Sequence, residues 1–119
     1  MADRPLYRYD EIEWHSPTSP DSAPASAEEV GRKFLAQGDE GFFAQMVRIP
    51  PGMTAPPHSH DHAEIFMVLE GTCRFGDAEM DRFDMTVVAA DCVYGFTAGP
   101  DGVVFLVVRT GQARASLVS

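Results

Sequence analysis

Three histidines and a glutamate are concentrated in residues 58–64, at positions His58, His60, His62 and Glu64. In an extended chain successive side chains alternate between faces, so His58 and His60 point the same way, and Glu64 joins them if residues 61–63 keep the register. Two imidazoles and one carboxylate on one side form a metal-ligating set, one that covers one face of an octahedral ion and leaves positions open for substrate or oxygen. His62 has the parity to serve as a compensating ligand, although it falls in what should be a tight turn. The competing reading makes all three histidines exposed loop residues following Pro56-Pro57.

The elements that must position these residues are strands. From about Val30 the chain becomes a series of short runs rich in Val, Phe and Ile, separated by Gly, Pro and Asp. Strands are expected at Arg32–Ala36, Phe42–Ile49, Ala63–Leu69, Thr72–Phe75, Ala78–Met80, Met85–Ala89, Val93–Thr97 and Val103–Arg109. Turn signals divide them at Gly38-Asp39, Pro50-Pro51-Gly52, Gly71, Gly76-Asp77 and Gly99-Pro100-Asp101-Gly102. Between Gly41 and Arg109 no segment sustains a 3.6-residue apolar period, and only Ala27–Ala36 leaves helix and strand equally open. Many short strands at even spacing argue for a small β-sandwich or barrel. Ahead of it, residues 1–14 read as an extended arm with a short strand near Glu11–Trp14, and residues 15–27, rich in Pro and Ser, as a loop or mobile linker.

The stretch Gly52–Gly71 resembles the first signature of the cupin superfamily: Gly, five residues, His-x-His, three or four residues, Glu, six residues, Gly. Here Gly52, His58, His60, Glu64 and Gly71 fill its fixed positions. The resemblance implies an all-β fold, the cupin-type double-stranded β-helix or jelly-roll barrel, over residues 28–119, preceded by the N-terminal arm and linker of residues 1–27. It also implies a divalent metal ion, Fe(II), Mn(II), Ni(II) or Zn(II), on His58, His60 and Glu64. The second cupin signature, Gly, five residues, Pro-x-Gly, two residues, His, falls in register on Phe83, Ala89, Asp91 and Tyr94, matching in spacing but not in identity. No histidine follows His62, so the fourth ligand that this signature supplies has no imidazole counterpart. Tyr94 stands in its place with three roles open: a phenolate ligand, a neutral hydroxyl that moves a proton, or a core aromatic closing the barrel mouth.

Around this set a pocket is expected. Phe66 and Val68 continue the face of Glu64, and Phe96 continues that of Tyr94. Cys92 precedes Tyr94 by two and shares its parity, as a soft ligand or reactive thiol, or simply as a small hydrophobe; Cys73 reads as a small hydrophobe. Gln45 and Arg48 differ in parity, so a regular strand aims only one inward, and an inward Arg48 would point to a carboxylated or phosphorylated ligand. The acidic hairpin residues Asp77, Glu79, Asp81 and Asp84 read as surface charge.

The chain has 119 residues, 45% of them hydrophobic, and a formal charge of −9, which suits one globular domain and argues against nucleic acid or an anionic membrane as partner. No basic start followed by an apolar run marks a signal peptide, and no apolar stretch approaches the roughly 20 residues of a spanning helix. A reduced, cytoplasmic protein is expected. The resemblance implies a mononuclear metalloenzyme (a dioxygenase, isomerase or lyase/dehydratase on a small organic molecule) with Tyr94 and Glu64 as catalytic groups; the alternative is a non-catalytic ligand-binding or sensing cupin whose metal is structural or absent. In either case the aromatic arm, with its flexible joint, suggests a homodimer.

Overall fold

From Gly31 onward the chain alternates inward and outward side chains along its strands, and it folds accordingly. The computed structural model describes residues 4–16, 23–112 and the backbone of 115–117. Among these are the strands β1 (Gly31–Asp39), β2 (Phe42–Ile49), β3 (Thr54–His60), β4 (Glu64–Phe75), β5 (Ala78–Met80), β6 (Met85–Val88), β7 (Tyr94–Arg109) and β8 (Ala115–Leu117). The ambiguous segment before Ala36 is strand from Gly31 onward. The two-residue turn Glu40-Gly41, with φ of 50° and 85°, closes a hairpin that pairs Asp39 with Phe42 and lays β1 along β2. The turn thus falls two residues beyond the expected Gly38-Asp39.

All strand pairings are antiparallel. The two longest strands, β4 and β7, pair along nearly their full lengths and belong to both faces of the fold. On one face the order is β1, β2, the Val103–Arg109 half of β7, the Glu64–Gly71 half of β4, and β6. On the other it is β8, β3, the Tyr94–Ala98 half of β7, the Cys73–Phe75 half of β4, and β5. This is a jelly roll, and the expected divisions at Gly71 and at Gly99–Gly102 are bends inside continuous strands. Both strands bend at the same level because Gly71 and Gly102 carry φ of 71° and 79°, a left-handed backbone that glycine adopts without strain. A Cβ on Gly71 would also run into the Gly102 carbonyl oxygen.

The core lies between the faces. Phe66 and Val68 are fully buried; Phe66 stacks on Phe105 at 4.2 Å and meets Phe75 and Phe96 edge-on at 5.0 and 5.6 Å. Such aromatic contacts add about 0.5–1.5 kcal/mol each to area burial. Cys73 is buried among them, and burial pushes its thiol up to about 11; both cysteines are free.

The arm lies on its own barrel. No strand forms at Glu11–Trp14; a single 3-10 turn at Tyr9–Glu11 leads to an isolated bridge in which His15 and Arg32 exchange backbone hydrogen bonds of 2.9 and 2.8 Å. Lys33, on the outer side of β1, is covered by the arm: its Nζ donates to the Tyr9 carbonyl at 2.8 Å and sits 3.4 Å from the Tyr9 ring centre. Arg48 lies 4.6 Å from the Trp14 ring centre and donates to the Ser26 carbonyl at 2.7 Å. These aromatic contacts lay the arm along β1 of its own barrel. Part of the expected linker, residues 17–22, lies outside the described residues. Among the described residues no helix is long and apolar enough to cross a membrane.

Candidate functional site

The two faces enclose a cavity of about 550 Å³. Alternation on β2 aims Gln45, Val47 and Ile49 inward, and on β7 it aims Phe105, Val107 and Arg109 inward, so one wall is apolar and ends in charge. The other face brings in His58 and His60 from β3 and Tyr94 and Phe96 from β7. Glu64 opens β4 directly opposite Arg109 in register. The site is therefore built across the sandwich, with Glu64, Arg109, Gln45 and Arg32 from one sheet and His58, His60 and Tyr94 from the other.

Glu64 is the centre. It is 2% exposed, and its Oε1 accepts from the Tyr94 hydroxyl at 3.0 Å and from Arg109 at 3.3 Å. Its second oxygen, Oε2, is buried with no partner. His60 Nε2 lies 3.7 Å from Glu64 Oε1 and 3.4 Å from Arg109. Burial, together with the neighbouring Arg109, His58 and Arg32, lowers the pKa of His60 to about 4, so the ring is neutral at neutral pH and presents a single acceptor lone pair. Burial and then the Glu64 carboxylate push the Tyr94 phenol well above its usual range, so it stays protonated. His58 Nδ1 lies 2.8 Å from the Pro56 carbonyl; because a carbonyl only accepts, Nδ1 carries the proton and Nε2 is left as an acceptor. The His58 and His60 rings stand 4.9 Å apart at 86°.

The donor chemistry fits a divalent ion: a histidine oriented by a backbone carbonyl, as metal-ligating histidines usually are, a neutral second imidazole, and a carboxylate with an orphaned oxygen. Yet among the described residues no group of three or more His, Cys, Asp or Glu converges closely enough to hold one. The Arg109 guanidinium lies against two of the donors an ion would share, 3.4 Å from His60 Nε2 and 3.3 Å from Glu64 Oε1.

Of the residues expected at the site, His58, His60, Glu64, Tyr94, Gln45 and Phe96 line the cavity; five others are placed elsewhere. His62 turns out of the barrel to Asp61, 3.0 Å away, because the chain leaves β3 in a bend at Asp61-His62. Cys92 is exposed, since Asp91 has a φ of 63° and strand parity begins only at Tyr94. Arg48 faces the arm, and Gln45 takes the inward position. Phe66 and Val68 do share the face of Glu64 but are sealed in the core, where Phe105 stacks over Phe66 and forms the cavity wall instead. Arg32 and Arg109 were missed. Their signal was present in the alternation Val103, Phe105, Val107, Arg109, and in Arg32 lying opposite Val47.

The degenerate second motif has a structural echo. Phe83 and Asp91 stand where that signature has glycine, and both adopt left-handed backbone, with φ of 72° and 63°, the region where glycine is at ease. The register that puts Tyr94 in the place of the motif's histidine is supported by these two angles.

The cupin domain family matches residues 45–119, and the chain belongs to it. Among solved structures, the polyketide cyclase RemF from Streptomyces resistomycificus is similar at a TM-score of 0.78 and 20% identity, covering 98% of this chain and 86% of that one. KdgF from Halomonas sp. is similar at 0.71 and 21%, covering 92% and 96%. A chain from Rhodobacter sphaeroides SigE in complex with the anti-sigma ChrR is similar at 0.66 and 20%, but this chain spans only 51% of its length. At these identities the likeness is one of fold. No curated protein was found to match the sequence.

Proposed function

We propose that this cupin is an enzyme acting on a small organic molecule in the barrel cavity, with His58, His60 and Glu64 holding a divalent metal and Tyr94 and Glu64 moving protons. The observation that carries this reading is Glu64, a carboxylate 2% exposed with one oxygen engaged and the other buried without a partner. Leaving a buried acceptor unsatisfied costs about 1–3 kcal/mol, and such a group calls for an explanation in terms of binding or catalysis. A bound ion of this class polarises carbonyl or hydroxyl oxygens. The remaining work belongs to the chain. Tyr94, a protonated phenol, passes its proton between a cavity ligand and Glu64 Oε1, 3.0 Å away. Arg109 fixes that oxygen, and Phe96, Phe105 and Val107 give the ligand an apolar bed. This pairing of a buried acid with a carboxylate favours isomerase or lyase/dehydratase chemistry over dioxygenation. The likeness to the polyketide cyclase RemF accords with small-molecule work in this fold.

A second reading, a metal-free ligand-binding cupin, is favoured by Arg109, whose permanent charge lies 3.3 Å from Glu64 and 3.4 Å from His60. Within either reading a cytoplasmic homodimer is supported by the two free thiols and by the exposed Ile65, Met85 and Val87 on the β4–β6 outer face, apolar surface that a second copy would cover.

Elemental analysis of untagged protein, beside His58→Ala and Tyr94→Phe, separates the two. About one iron, manganese, nickel or zinc per chain, lost in His58→Ala and kept in Tyr94→Phe, supports the metalloenzyme. No metal after reconstitution with each ion leaves the binding cupin.

A further inference from the structure

Arg32 on β1 and Arg109 on β7 flank β2, which places Gln45 between them. All three line the cavity, and all three also line a smaller cavity of about 180 Å³ next to it. They therefore form the partition between the two spaces. Two guanidinium groups here face one carboxylate, Glu64, in a chain that has only nine basic residues. Arg109 engages that carboxylate through one nitrogen; its Nε is buried and unpartnered, as is the Nε of Arg32. Arg32 makes no ion pair among the described residues. Burial and the nearby Arg109 lower the Arg32 pKa, which reports the same uncompensated positive charge. Buried charges are ordinarily paired, and guanidinium groups bind planar carboxylates through paired donors. Beyond the partition the cavity floor is Val47, Ile49, Phe96, Phe105 and Val107.

We propose that the cavity takes a carboxylic acid with an apolar body, its carboxylate held at the Arg32–Gln45–Arg109 partition and its hydrocarbon on the apolar floor. This rests on the cavity being the ligand site, as proposed above, but not on a metal. Anchoring of this kind leaves the far end of the ligand to the Tyr94 and His58 side of the barrel, so the partition selects the substrate and the opposite face acts on it.

Isothermal titration of the full chain with 3-phenylpropanoate and with its neutral isostere 3-phenylpropanamide tests this, on protein treated with EDTA and on protein loaded with zinc. The acid binds more tightly than the amide by about tenfold or more, the range of a charge-assisted pair, and Arg32→Gln abolishes the difference with the melting temperature as a check on folding. Equal affinities, no binding of either compound, or a difference unchanged in Arg32→Gln overturns the proposal. Discrimination that persists in protein unable to take up metal retains the proposal while removing the metalloenzyme reading; uptake of zinc without discrimination does the reverse.

Discussion

Glu64 and Phe66 are two residues apart on one strand and one face, yet they belong to opposite kinds of structure. Phe66 lies in an apolar cluster at 0% exposure, and three rings pack within 5.6 Å of it. Around Glu64, one turn of the pleat away, polar atoms are buried faster than they are satisfied: Glu64 Oε2, His60 Nδ1, and the Nε atoms of Arg32 and Arg109. The first region holds the sandwich together. The second draws on that stability to keep charged and hydrogen-bonding groups dry and ready for a ligand. A small domain tolerates the second only because the first is so closely packed.

The largest expected effect comes from breaking the packed region. Phe66→Ala removes a fully buried ring and leaves a cavity among Phe75, Phe96 and Phe105, costing about 3–5 kcal/mol; chemical denaturation should show it as a fall in midpoint with the slope preserved. Next comes the polar region. Glu64→Leu strands the Arg109 charge without its carboxylate and costs about 3 kcal/mol, whereas the double variant Glu64→Leu/Arg109→Met recovers most of that or exceeds the parent, as buried ion pairs replaced by apolar groups often do. If the double variant stays as unstable as the single one, Glu64 and Arg109 are supporting the fold rather than a site. The smallest effect is in pH dependence. His60 has a folded-state pKa of about 4 against an unfolded value near 6.5, so the unfolded chain binds the extra proton first. Its contribution is fully present above about pH 6.5 and is lost as pH falls toward 4. In EDTA-treated protein, thermal melts across this window should fall less steeply for His60→Asn than for the parent.

The same contrast decides what was legible in the sequence. Packed strands announce themselves, and β2 and β5 fall on the expected residues because their ends are marked by prolines and tight turns. β4 and β7 were each divided in two, since glycine serves equally well as the end of a strand and as the corner inside one; only the near-contact of Gly71 with Gly102 tells them apart. His58, His60, Glu64 and Tyr94 meet at one cavity, as the spacing of the motif suggests even where the second signature has lost its glycines, proline and histidine. The arginines were not legible in this way. A charged residue on a strand reads as surface until its whole face is followed, and Arg32 and Arg109 become visible only when β1 and β7 are laid on either side of β2. Cys92 failed for the opposite reason, because alternation was extended back from Tyr94 into residues 92–93, which lie outside β7.

The sharing of β4 and β7 by both faces also governs how the molecule can be made. Each of these strands contributes one half to each sheet, and Phe43, near the start of the barrel, pairs with Arg109 near its end. Neither sheet is complete until almost the whole chain has emerged, so there is no autonomous half to serve as an early intermediate and no local hairpin that carries the topology. Loop closure over such sequence distances precedes any reward from packing, which places folding in the slow regime of milliseconds to seconds typical of nonlocal β architectures. The β1–β2 hairpin and the pairings of β4 with β5 and β6 are local, and the insertion of Val103–Arg109 between β2 and β4 joins them into one barrel.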